Sequence, residues 1–141
     1  MIEQVSAEHG VNDEVVAAFA RLVPQLSSAR PPTREALAEI ARGAVLLVAR
    51  SADGAIAGAL TLTLYRIPTG LQARIDDVVV DRGARGQGLG EALSREAIRR
   101  AREAGAVAIG LTSHASRAAA NRLYVRLGFE RRETNVYKLA L

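Results

Sequence analysis

Apolar and polar positions along the chain change period several times, and each change marks an element. Ile2 to Ser6 reads as a short strand. From Asn12 or Asp13, either of which can cap a helix, apolar side chains recur at Val15, Val16, Phe19, Leu22, Val23 and Leu26, one helical face. Ser27-Ser28-Ala29-Arg30-Pro31-Pro32 interrupts that face. Thr33 caps a second helix to Arg42, and Gly43 stops it.

The period then drops to two. Val45 to Ala49 and Ile56 to Tyr65 read as the arms of a hairpin around an Asp53-Gly54 turn. Leu60, Leu62 and Leu64 alternate with Thr61 and Thr63, so one face of the second arm is buried and the other is wetter. After a turn from Pro68 to Leu71, Ile75 to Val80 looks like a central strand covered on both faces. A glycine-rich loop, Asp81 to Gly90, opens a helix through Ala104 that Gly105 ends. Val107 to Leu111 is a further strand, Ser116 to Leu127 a helix ended by Gly128, and Phe129 to Leu139 supplies one or two closing strands. This order predicts one α/β domain, residues 1–141, with a mixed sheet and helices on both faces.

The length of 141 residues suits one domain, and 49% hydrophobic with 24% charged residues excludes disorder and fibrous repeats. Cysteine is absent, which removes disulfides, thiolate zinc sites and thiol nucleophiles, and no metal site is expected. The start Ile2-Glu3-Gln4-Val5 is no signal peptide, and the longest uncharged apolar stretch, Ala55 to Tyr65, is too short to span a bilayer. The expectation is a soluble, cytoplasmic protein without a membrane partner.

Residues 1–70 carry 6 Arg/Lys against 7 Asp/Glu, whereas residues 71–141 carry 13 against 8. The second half should therefore hold any anion the protein binds. Nucleic acid is not the expected partner, because aromatic residues make up only 4% and no basic run exceeds two residues.

The chemistry concentrates in Val78-Val79-Val80-Asp81-Arg82-Gly83-Ala84-Arg85-Gly86-Gln87-Gly88-Leu89-Gly90. Glycines at a strand-to-helix junction let successive N–H groups point into one concavity, and the helix N-terminus adds unpaired donors and partial positive charge. With Arg85 beside them, these groups suit a phosphate or pyrophosphate. A P-loop is excluded, because Leu89-Gly90 follows where Lys-Ser/Thr is required. A dinucleotide fingerprint is excluded as well, since Glu91 stands at the place of its third glycine.

A second segment, Ala120-Asn121-x-x-Tyr124-x-x-x-Gly128-Phe129, follows after one helix and one strand. Together with Arg85-x-x-Gly88-x-Gly90 it resembles the GNAT superfamily of acyl-CoA N-acyltransferases. The resemblance covers about the last seventy residues, and the first seventy match only in element order. It implies a mostly antiparallel sheet whose central strand pair splays, and acetyl-CoA as the acyl donor. The backbone from Arg85 through Gly86, Gln87, Gly88, Leu89 and Gly90 to Glu91 would hold the CoA pyrophosphate. The strand Val78 to Val80 would bulge and open a gap for the pantetheine arm, with amides of Val79 or Val80 reaching the thioester carbonyl. Such a donor is worth about 3 kcal/mol toward a developing oxyanion.

By the same resemblance Tyr124 is the general acid that protonates the departing thiolate. Asn121, on the same helix face as Tyr124, would contact the cofactor. Many relatives carry Asn where this chain has Arg117, which instead could reach a CoA phosphate. Ammonium groups must lose a proton before attack, so a carboxylate or a water relay is required. Asp76 and Asp77, just before the valine run, are the candidates, with Asp77 favoured and His114 the alternative. Thr112 stands where some acidic members have glutamate, which argues against a protein N-terminus as acceptor. His9 has no chemical company.

The resulting expectation is an N-acetyltransferase acting on the primary amine of a small metabolite by direct attack. A protein lysine or N-terminus, or a non-catalytic CoA-binding role, is the alternative. The last strand, ending Val136-Tyr137-Lys138-Leu139, is a candidate for pairing across a homodimer.

Overall fold

Five strands hydrogen-bond in the order of the chain, β1 to β5, in a computed structural model that describes all 141 residues. The strands are β1 (Ile2–Gln4), β2 (Val45–Arg50), β3 (Ile56–Ile67), β4 (Gly70–Val80) and β5 (Ala108–Gly110). The helices are α1 (Asp13–Leu22), α2 (Arg34–Gly43), α3 (Leu89–Glu103) and α4 (Ala118–Arg126). The first three pairings are antiparallel and β4–β5 is parallel, so the sheet is mixed and mostly antiparallel.

Local signals place the first two helices where the apolar spacing put them. Asn12 accepts the Val15 N–H at 3.0 Å, and Thr33 accepts the Ala36 N–H at 3.1 Å. The first helical face continues past α1 as a single 3-10 turn, Val23–Gln25, because Pro24 has no N–H to extend the α ladder. Val15, Ala18, Phe19, Leu22 and Leu37 cover one sheet face over Leu46, Val48, Ile56, Ala59 and Val79. On the other face α3 places Leu93, Ala97 and Ala101 over Leu47, Leu60, Leu62, Ala73 and Ile75. These two layers are the helices on both faces.

β4 departs from regular pleating at one point. Ala59 pairs with Val79 and Thr61 with Asp76, so Leu60 alone faces two residues, Asp77 and Val78. That is a β-bulge, and Asp77 adopts φ +51°, the only positive φ outside glycine. The bulge inverts the alternation. Ala73 and Ile75 face α3 before it, whereas Val78 faces α3 and Val79 faces α1 after it. The strand is therefore not covered on both faces throughout: Asp77 is exposed, and Asp76 and Val80 are half-buried.

The pairing of β4 with β5 ends at Arg74 and Gly110, while β4 runs on to Val80. β5 is the edge strand and ends there, so the two strands part beyond that pair and β4 runs on unpaired on this side. The closing strands expected from Phe129 to Leu139 do not form. Residues 129–141 have no regular secondary structure, and Val136, Tyr137 and Leu139 are exposed. A strand needs a ladder, and β5 offers only three residues with small side chains at Ala108 and Gly110. The last helix is also shorter than its pattern, beginning at Ala118 because Ser116 turns back onto His114.

Candidate acyl-donor site

The glycine loop leaves β4 at Asp81, makes one 3-10 turn over Arg82–Ala84, and enters α3 at Leu89. Gly86 and Gly88 take φ +82° and +78°, and a Cβ at either would meet nothing within 4 Å. Glycine is needed there for backbone conformation rather than for space. Gly88 caps α3 without a side chain, and its carbonyl accepts the Ala92 N–H at 3.0 Å. The N–H groups from Arg85 to Glu91 donate to nothing else in the chain, so a row of donors is open at a helix N-terminus. Arg85 folds back and donates to the Val80 carbonyl at 3.3 Å, which places its cation at the root of this row.

Three elements meet here. A Cβ on Gly90 would stand 3.7 Å from Val80 Cγ2 and 3.8 Å from Leu123 Cδ2, so the end of β4, the start of α3 and α4 are in contact. Glu91 pairs with Arg95 at 2.8 Å and with Arg126 of α4 at 3.5 Å. The Arg95 guanidinium holds its carboxyl below the usual range, and the two arginines offset a negative charge beside the open donors.

Tyr124 is the one buried residue of α4. Its ring meets Phe129 edge-on, with centroids 5.8 Å apart. Burial raises its phenol pKa, and the charge of Arg117 opposes that in part. The phenol thus keeps its proton in neutral water, which suits an acid that must donate late. Asn121 shares this helix face but turns its amide to the His114 carbonyl at 3.1 Å and that of Ala115 at 3.5 Å, closing the loop before α4.

The two aspartates are separated by the bulge. Asp76 lies on the face opposite Ile75 and pairs with Arg74, Nε to Oδ1 at 3.2 Å. Arg74 also reaches Thr112 Oγ1 at 3.3 Å, spanning the mouth of the splay. Asp77 sits at the bulge itself with its side chain outward. His114 is arranged differently from a base. Its Nδ1 accepts the Ser116 N–H at 3.1 Å, so the neutral ring carries its proton on Nε2 and offers no lone pair outward. That tautomer is assigned from the hydrogen-bond pattern.

Other polar groups around the splay escaped the reading of the motifs. Thr61, Thr63 and Tyr65 of β3 and Arg74 and Asp76 of β4 share the sheet face of α1 and α2 but lie beyond those helices, half-buried or exposed. The alternation of Thr61 and Thr63 with leucines was the signal for it. Ser113, three residues past the last β5 pair, holds the only buried side-chain oxygen with no hydrogen-bond partner. The open donor row at the helix N-terminus, beside the end of β4, fits an extended, phosphate-bearing acyl donor.

The model of the Acetyltransferase (GNAT) family matches residues 15–129. The chain belongs to this family. GNAT proteins typically use acetyl-CoA, and acetyl transfer is the chemistry they share. An acetyltransferase from Trypanosoma brucei is 27% identical, with TM-score 0.78 over 100% of this chain and 99% of that one. A transcriptional regulator from Bacillus halodurans is 28% identical, with TM-score 0.74 over 100% and 99% of the two chains. The glucosamine-6-phosphate N-acetyltransferase of Arabidopsis thaliana shares the GNAT fold at 20% identity, with TM-score 0.81 over 99% and 97%. Among curated proteins, none matches the sequence significantly.

Proposed function

We propose that this GNAT protein transfers an acetyl group from acetyl-CoA to the primary amine of a small molecule, by direct attack with both substrates bound. The observation that carries the reading is the splay after Arg74 and Gly110, with the bulge at Asp77 in one wall and the open donors of residues 85–91 at its end. The loop amides and the Arg85 cation hold the diphosphate of the donor, whose thioester supplies the activated acetyl group. The backbone of Val79 and Val80 lines the gap for its arm. Tyr124 gives its phenolic proton to the sulfur as the amine nitrogen bonds to the acyl carbon and the C–S bond breaks. Asp76 or Asp77 takes the ammonium proton before attack, directly or through water, and the second proton that nitrogen loses as the amide forms restores the Tyr124 phenol.

Arg74 and Asp76 together favour an acceptor that carries an anionic group as well as its amine. The guanidinium meets that anion while the carboxylate receives the ammonium, at the edge of the uncovered polar face. The test is product formation, read by mass, across amino acids, amino sugar phosphates, aminophosphonates, polyamines and lysine peptides. Acetylation of an anionic amine, lost in Arg74→Met, is expected. Acetylation of polyamines or peptides alone contradicts the acceptor class.

A second reading, a CoA-binding regulator, draws support from the relative described as a transcriptional regulator. It predicts tight CoA binding with no amine-dependent turnover.

A further inference from the structure

Asp81 is the joint between β4 and the glycine loop, and every polar group it has is engaged. Its N–H donates to the Ala57 carbonyl at 2.7 Å, and its carbonyl accepts the Ala84 N–H at 2.8 Å. One carboxylate oxygen accepts from Arg21 Nε at 3.0 Å and the other from Gln25 Nε2 at 3.3 Å. Arg21 also donates to the Ile56 carbonyl at 2.6 Å. The Gln25 Oε1 accepts the N–H of Arg82, the next loop residue, at 3.0 Å, while its amide nitrogen also reaches the Arg21 carbonyl at 3.2 Å. The last turn of α1 and the 3-10 turn after it thus grip the first two residues of the loop, some sixty positions away in sequence.

Past Ala84 the loop has no backbone bond of its own until Gly88 accepts from Ala92. Its backbone is therefore hydrogen-bonded at two ends only, by α3 and by Asp81, with the Arg85 side chain reaching back to the Val80 carbonyl between them. A donor row works as an anion site only when its N–H groups converge, and a small rotation at the root would turn them apart. The clamp sits at the periphery, with the Arg21 side chain 46% and that of Asp81 26% exposed, so it adds little to the core.

We infer that Arg21 and Gln25 are positioning residues for acyl-donor binding: by holding Asp81 and Arg82 they aim the loop amides of residues 85–91 at the diphosphate. The inference rests on the acetyl-CoA reading above, and it ties the half of the chain without the family's motifs to the half that carries them.

The test combines CoA titration calorimetry, steady-state kinetics and amide hydrogen exchange on Arg21→Met, Arg21→Lys, Gln25→Ala and Asp81→Asn. Arg21→Met and Asp81→Asn are expected to weaken CoA binding and raise KM for acetyl-CoA by about 10-fold, with kcat within about 2-fold at saturation. Exchange should quicken at residues 82–91 and stay unchanged in β2 and β3, and Arg21→Lys should recover part of the affinity. If Arg21→Met fails to fold, Gln25→Ala gives the same readout, because it leaves the ion pair intact. Variants that keep the parent's CoA affinity and loop protection overturn the inference, as does a loss of affinity that tracks a general loss of protection across the sheet. An unaltered protein that binds no CoA overturns the acetyltransferase reading itself.

Discussion

The ring of Tyr124 meets that of Phe129 edge to face, with an interplanar angle of 71°. The contact joins the end of α4 to the residue just after Gly128, and the Phe129 N–H donates to the Tyr124 carbonyl at 3.0 Å. Ring position and hydroxyl chemistry are therefore separable. Tyr124→Phe keeps the aromatic pair and should leave the melting temperature unchanged while lowering kcat by about 100-fold. CoA affinity should not move. Phe129→Ala should instead cost about 1 to 2 kcal/mol of stability, measured by urea unfolding, since Phe129 is only half-buried.

The bulge makes a prediction of the opposite kind. Asp77 holds a left-handed backbone that ordinary side chains resist. Asp77→Gly should raise stability by up to about 1 kcal/mol, and Asp77→Val should lower it by about 1 to 2 kcal/mol. Equal stabilities in the two variants would contradict the strained bulge.

Gly88 takes the same conformation within the proposed donor loop. Gly88→Ala meets no atom within 4 Å, so only backbone strain opposes it. Calorimetry with CoA should show affinity reduced by about 10-fold, as the loop shifts to relieve about 1 to 2 kcal/mol. Retained affinity would separate the loop from the donor.

Because its Nδ1 accepts from Ser116, His114 should be dispensable for proton removal. His114→Ala is expected to keep kcat within about 2-fold, with no change in the acidic limb of the rate profile. Loss of that limb would restore the histidine as base.

Acid should weaken α3 through Glu96. Hydrogen bonds from Arg99 and then Arg100 pull its pKa down to about 2. A depressed folded pKa means that the stabilisation is complete above the ordinary value of 4.5 and is lost as pH falls toward 2. After solvent screening the amount is about 1 kcal/mol, and it should vanish in Glu96→Gln, by thermal unfolding between those pH values.

What the sequence disclosed depended on how far its signals reach. Caps at Asn12 and Thr33, the glycine loop, and Tyr124 four residues before Gly128 are local patterns, and they placed the helices and the donor row. The bulge was implied by the family resemblance, but nothing in Ile75-Asp76-Asp77-Val78 announces a positive φ at Asp77. Arg21 and Asp81 are linked only by folding, and no spacing rule connects them. Arg74 escaped notice because only folding brings it to face Thr112, 38 positions away. The alternation of Val136 to Leu139 suggested a strand, but a strand also needs a neighbour, and β5 is too short to provide one.

The most direct test of the central claim is CoA thiol release from acetyl-CoA, followed with a thiol-reactive dye while amines are added. The chain contains no cysteine, so it adds no background thiol. Amine-dependent release by the native sequence, reduced by about 100-fold in Tyr124→Phe, is the predicted result. Release that ignores the amine, or that Tyr124→Phe leaves at full rate, would contradict it.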